Sequence, residues 1–191
     1  MLAEPVLDRA YHYVSGAMTA TEREGFEVVL VYHQELRTHV AGLQEVVTAM
    51  AMSRLPIQAE PPPSLKTRLL SSLDRLSPRP EAEALVVATP DGCLEWANPV
   101  FTTLCGYTLA ELRGRKPGHL LQGPETDQAA VQRIREAVRE KRVCEETLVN
   151  YHKDGSRYRV ALRILPVLDD EGRPLWLVAK ERQLAMVGTR A

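Results

Sequence analysis

Residues 90–115 read PDGCLEWANPVFTTLCGYTLAELRGR, and the fold of the second half of the chain turns on them. Pro90-Asp91-Gly92 is a turn signal, because aspartate and glycine tolerate the backbone angles of a tight chain reversal. Ala84–Thr89 before it and Cys93–Ala97 after it are short apolar runs, so the three pieces predict a hairpin. Short helices follow over Asn98–Gly114. Next comes GRKPGHLLQGPETD, residues 114–127, with a glycine at its start, Pro117, a second glycine pair, and one amide, Gln122, after two leucines. Loops of this composition often line a small-molecule pocket. A helix is predicted over Thr126–Arg142. Three strands follow, at 144–152, 156–169 and 174–182, joined by the turns Lys153-Asp154-Gly155 and Asp170-Glu171-Gly172. In the middle one, Tyr158, Val160, Leu162 and Ile164 alternate with Arg157, Arg159, Ala161 and Arg163, so one sheet face is buried and the other partly charged. The expectation is an α+β domain with an antiparallel sheet and helices over one face.

The first half differs. Residues 1–76 show no strand-like alternation, and the proline-bearing stretch LSPRPEAEA separates the two halves as a linker. Leu7, Tyr11, Val14 and Met18 recur at helical spacing. Thr19 with Glu22 forms a capping box. The helix after it is predicted to run unbroken from about Thr21 to Ser53. Phe26, His33, Val40 and Val47 occupy one heptad position along it, and Val29, Leu36, Leu43 and Met50 the other. After Pro56 and a triple proline, Leu65, Leu69, Leu73 and Leu76 mark one face of a further helix. The predicted organisation is an all-α domain at 1–76, a linker at 77–83, an α+β domain at 84–183 and a tail at 184–191.

Composition narrows the function classes. Of 191 residues, 45% are hydrophobic and 26% charged, which implies a soluble globular protein. Residues 1–80 carry eight Lys/Arg against nine Asp/Glu, and the remainder sixteen of each. Neither half is basic, so direct nucleic-acid binding is not expected. There is no apolar run of membrane-span length and no secretory start, so a cytoplasmic protein without a membrane anchor is expected. Cys93, Cys105 and Cys144 are far apart and outside any CxxC pattern, and read as thiols in a reducing compartment. No catalytic triad, phosphate loop or paired-carboxylate site is present, and no kinase or cyclase pattern follows the last strand. The chain is read as a non-enzyme.

Two resemblances sharpen this. RAYHYVSGAMTATEREGFE at 9–27, followed later by PPPSLKTRLL at 61–70, resembles the N-terminal domain of bacterial anti-sigma factors over roughly residues 5–76. Many members bind zinc through His-x3-Cys-x2-Cys. The corresponding positions are Val29, His33 and Leu36, so the resemblance is to a zinc-less version and no metal is expected. Residues 90–115, with LLQGPETD, IREAV, NYHKDGS and LPVLDDEGRPLW, resemble a PAS domain of the light-oxygen-voltage (LOV) branch over nearly all of 82–183. That implies a five-stranded sheet whose helices and loop wall a ligand pocket.

LOV photoreceptors carry a reactive cysteine in a GRNCRFLQG loop, bonded to flavin mononucleotide. Here that position falls on Pro117 or Gly118, and without a thiol no adduct forms. Gln122, Arg135 and Asn150 match family positions that touch the flavin or its phosphate. The loop arginine is His119, the second strand asparagine is Val160, and the glutamine that reads the ring is Glu181. With several polar partners missing, no cofactor is expected, flavin mononucleotide being the alternative. Arg133 and Arg135 could hold a phosphate or be paired with neighbours. Trp96 and Trp176 read as core or interface anchors.

The sequence thus implies a cytoplasmic anti-sigma factor that sequesters an alternative sigma factor of the extracytoplasmic-function type, with a PAS module for sensing or dimerisation. Val28, Val31, Tyr32 and Val46 lie off the heptad seam and are candidate partner-binding residues. A homodimer is expected. The alternative is a flavin- or small-ligand-binding sensor whose helical N-terminus mainly dimerises it.

Overall fold

A computed structural model describes residues 2–54 and 83–185. Three helices come first: α1 (Glu4–Ser15), α2 (Ala20–Tyr32) and α3 (Gln34–Arg54). They lead to β1 (Ala84–Ala88), β2 (Leu94–Ala97), α4 (Pro99–Cys105), α5 (Leu109–Leu112), α6 (Pro117–Leu121), α7 (Gln128–Arg139), β3 (Cys144–Tyr151), β4 (Arg157–Leu168) and β5 (Pro174–Leu184). The leucine-faced helix predicted around Leu65–Leu76, most of the 77–83 linker and most of the 184–191 tail lie outside the described residues. Among the described residues, no helix is long and apolar enough to cross a membrane.

The five strands form one antiparallel sheet in the order β2-β1-β5-β4-β3. All five residues of β1 are buried, because the strand is covered on both faces. Leu85 and Val87 join Leu165, Val167 and Val178 in a core shared with Phe26, Val29, Leu36 and Val40 of the helical region. Ala84 and Val86 face the other way, toward Phe101, Leu121 and Val131 of α4, α6 and α7. Asn98 ties the layers together. Its Oδ1 accepts from Leu85 N and Phe101 N, each at 3.0 Å, and its Nδ2 donates to Glu83 O. The one buried side chain thereby starts α4 and fixes it to β1.

The helical region rests directly on the sheet. Glycine inside a helix costs roughly 1 kcal/mol relative to alanine, yet Gly25 sits in mid-α2. A Cβ there would meet Val167 Cγ2 at 3.2 Å, so the residue lets the helix approach β4 closely. Ion pairs line this contact. Lys180 Nζ meets Glu24 at 3.0 Å and Glu83 at 2.9 Å, and Arg163 bridges Glu24 and Glu145. The charged side of β4 read from the sequence is thus the side that α2 covers.

The capping box at Thr19 and Glu22 forms as read, with Thr19 N donating to Glu22 Oε2 at 2.8 Å and Glu22 N to Thr19 Oγ1 at 3.3 Å. The helix it starts does not run unbroken to Ser53. It ends at Tyr32, His33 takes an extended conformation, and α3 begins at Gln34. His33 Nδ1 accepts the Leu36 amide at 3.3 Å, so the histidine acts as the N-cap of α3. Arg37 Nη1 donates to the carbonyls of Leu30 and Val31, closing the end of α2. The heptad seam is therefore buried in its first part only. Val29 and Leu36 are wholly buried, whereas Val47 is 48% and Met50 63% exposed.

Candidate functional site

A cavity of about 540 Å³ lies between the sheet and helices α4, α6 and α7, in the size range of small-molecule sites. Its walls are mostly apolar: Phe101, Leu121, Val131, Ile134, Leu148 and Leu162 all line it. The loop 114–127 forms one side. Pro117 occupies the first turn of α6, where its missing N–H is no loss, and Gln122 ends the helix in an extended conformation. Gln122, Arg135 and Asn150, brought forward from sequence alone, line this one cavity together. Pro117, Gly118 and His119 line it as well. Asn150 is buried and Gln122 half-buried, while Arg135, His119 and Lys116 are exposed, and Arg135 and Lys116 place positive charge at the open side.

Two residues that the sequence did not single out hold the loop in place. Thr126 is buried; its Oγ1 accepts from Gly123 N at 3.0 Å and donates to Val149 O at 2.6 Å. The Tyr151 hydroxyl accepts from Glu125 N at 3.0 Å, and its ring lies so close to Gly123 that a Cβ there would collide with it. The loop is thus stitched to β3, and Asp127 then caps α7 through Ala129 N. The only sequence signal was the Thr-Asp pair at the helix start.

Arg133 and Arg135 part company. Arg133 forks onto Glu146 of β3 and serves as a strut, whereas Arg135 turns to the cavity. Val160 is fully buried in the core beside the site. None of Cys93, Cys105 and Cys144 is among the described residues lining the cavity. Burial raises the Cys105 thiol above the ordinary cysteine range.

Glu181 is the outlier. It lines the cavity from β5, is only 6% exposed, and its Oε2 has no hydrogen-bond partner. Removal from water pushes its carboxyl up to about 7. Tyr158, opposite Asn150 on β4, also has a buried hydroxyl without a partner, and burial raises it well above the usual phenol range. Such groups are rare in finished cores, where buried polar atoms are nearly always bonded.

The candidate partner residues divide. Val28 is buried in the core that the helices share with the sheet, and the Tyr32 ring packs against Trp96 at 6.0 Å, so these two are engaged within the chain. Burial on two sides, not a free surface, accounts for their apolar character. Val31 and Val46 are 56% and 51% exposed. Trp96 and Trp176 anchor the seam between helices and sheet, Trp176 against His33.

A family model for the PAS domain matches residues 82–179. Among curated proteins, the chain is 40% identical over 83 residues to phototropin-2 of Oryza sativa subsp. japonica, covering 44% of this chain and 9% of that one. It is 35% identical over 106 residues to a blue-light photoreceptor of Listeria monocytogenes, covering 56% of this chain and 39% of the relative. The chain therefore spans well under two thirds of these relatives. Among solved structures, the LOV domain of a blue-light-activated histidine kinase from Erythrobacter litoralis aligns with a TM-score of 0.51 at 28% identity, over 54% of this chain and 96% of that one. A light-oxygen-voltage domain studied with a flavin analogue aligns at 0.53 and 30% identity, over 62% and 85%. These likenesses favour the sensor alternative over sigma-factor sequestration.

Proposed function

The chain belongs to the PAS-domain family, and on that premise we propose that it is a light-oxygen-voltage-type sensor whose cavity holds a flavin mononucleotide-class ligand without a covalent bond. This reverses the expectation of no cofactor. The observation that carries it is the cavity itself, which gathers Gln122, Asn150 and Arg135 and leaves the Glu181 carboxyl unpartnered. Apolar walls suit a flat ring system. Buried amide and acid groups suit its heteroatoms, and the cations at the open side suit a phosphate. Gln122, Asn150 and Glu181 would hold the ring, and Arg135 with His119 the phosphate. When bound, the flavin supplies blue-light absorption and redox chemistry, while the chain's own residues bind it, orient it and shield it from water. A cavity lined without cysteine supports binding with no adduct. Such a sensor would work in the cytoplasm, as a signalling module and not an enzyme.

The absorbance spectrum of the purified protein, before and after added flavin mononucleotide, tests this. Stoichiometric uptake with a flavin spectrum and no reversible bleaching is expected. A chain that takes up no flavin overturns the reading, and reversible bleaching overturns its non-covalent part.

One observation supports a second role for the helices. Val31, Val46, Met50 and Met52 are between 51% and 66% exposed, an apolar strip suited to a protein partner. A sigma factor is the partner the sequence resemblance implies, and a second copy of the chain is the other occupant. Co-purification with the sigma factors of the source cell should be lost on V31D/V46D, and sedimentation reads the homodimer. Undiminished capture by the double variant removes this surface from the account.

A further inference from the structure

We propose that Glu181 acts as a neutral carboxylic acid that donates a hydrogen bond to an acceptor atom on the flavin ring. The inference rests on the flavin reading above and adds a regulatory consequence to it, namely loss of ligand as pH rises.

The geometry isolates this carboxyl from every counter-charge. Its partners across the sheet are Ala84 on β1 and Leu162 on β4, both apolar. Lys180, next to it on β5, points to the opposite face and is engaged by Glu24 and Glu83. Arg182 is exposed and borders the outer groove that Lys180 also lines. The titratable groups facing Glu181 are Tyr158 of β4, Cys105 of α4 and His152 of the β3–β4 turn, which shares a shallow groove with it. Lys116, His119 and Arg135 stand at the exposed side of the cavity. The carboxyl thus borders the cavity on one side and the shallow groove on the other, and neither brings a counter-charge into hydrogen-bond contact with it.

Protonation state then decides what the ligand meets. A neutral acid donates one hydrogen bond and still accepts others; an ionised one only accepts. A flavin ring carbonyl is an acceptor, so it is bonded by the neutral form and repelled by the charged form. The acid is neutral below about 7 and ionises above it. Affinity is therefore retained at mildly acidic pH and falls as pH rises through that range.

The test measures flavin mononucleotide affinity by fluorescence between about pH 5.5 and about pH 8.5 for the full chain, E181Q and E181A. The parent should weaken by up to about tenfold for each pH unit above about 7. E181Q, a permanent donor, should bind at all pH values as the parent does in acid, and E181A weakly throughout. Infrared spectroscopy of the ligand-free protein at mildly acidic pH should show a protonated carboxylic acid band that E181Q lacks. Flavin binding whose affinity does not change with pH, or the absence of that band, overturns the inference alone. Failure of every form to bind flavin at any pH overturns the flavin reading and this inference with it.

Discussion

The two faces of the sheet are built from alternate residues of the same strands and end in opposite states. On one face Leu85, Val87, Leu165, Val167 and Val178 are closed over by α2, near enough that a Cβ at position 25 would press on Val167. Unpartnered nitrogens on the helix-covered side belong to His39 and to Arg9 and Arg163, the two arginines having their other nitrogens paired. On the other face Val86, Leu148 and Leu162 border a cavity of about 540 Å³, and Glu181 Oε2 has no hydrogen-bond partner. A close-packed face with satisfied charges is what stability requires. A hollow with unused hydrogen-bonding capacity lowers stability and needs another reason. The difference assigns holding the molecule together to the first face and leaves the second for the ligand recognition proposed above.

Core truncation should separate the faces most sharply. Phe26→Ala removes a fully buried ring from the packed face and should cost about 3–5 kcal/mol in chemical denaturation. Ile164→Ala, on the wall of an existing cavity, should cost about 2 kcal/mol or less, since fewer contacts are lost there. Equal losses would mean that the faces are packed alike.

The next effect is electrostatic. Glu181 has an ordinary value of 4.5 when solvated and about 7 in the folded chain, so between these values the folded state holds a proton that the unfolded state has released. Stability should fall as pH rises across that window, by up to about 3 kcal/mol, and level off above it. Glu181→Leu should abolish the fall, so that the variant gains most over the parent near pH 8, as read by melting at several pH values.

Smaller still, Arg135→Ala should weaken flavin mononucleotide about tenfold while leaving riboflavin, which lacks the phosphate, unchanged. Its effect on melting should be within about 0.5 kcal/mol, because the side chain is exposed. Last, Glu24→Gln on the packed face breaks the pairs to Lys180 and Arg163 and should cost no more than about 1 kcal/mol, less at high salt.

The sheet was legible because its turns combine aspartate with glycine and its strands alternate. The cavity was legible through Gln122, Arg135 and Asn150, which lie far apart along the chain and meet only in the fold. The break at His33 was hidden, since the heptad seam passes through it without interruption. What ends α2 is a histidine ring nitrogen capping the next helix and Arg37 reaching back to Leu30 and Val31, neither a common terminator. Val28 was misplaced for a related reason. Periodicity says that a side chain is buried, not which surface buries it, and the surface here belongs to strands more than fifty residues downstream. Glu181 was counted among the missing polar partners; the fold buries it and raises its affinity for a proton.

The contact between Lys180 and Glu24 joins residues 156 positions apart. During synthesis α1–α3 leave the ribosome before the strands that complete their seat, β5 being the last of these. At ordinary elongation rates that interval is on the order of ten seconds. Until the strands emerge, Phe26 and Val29 lack the sheet surface that joins them in the finished core. The three helices are thus made well before the sheet that covers them, and a nascent chain stalled before β4 and β5 would present that apolar side to the cell's chaperones.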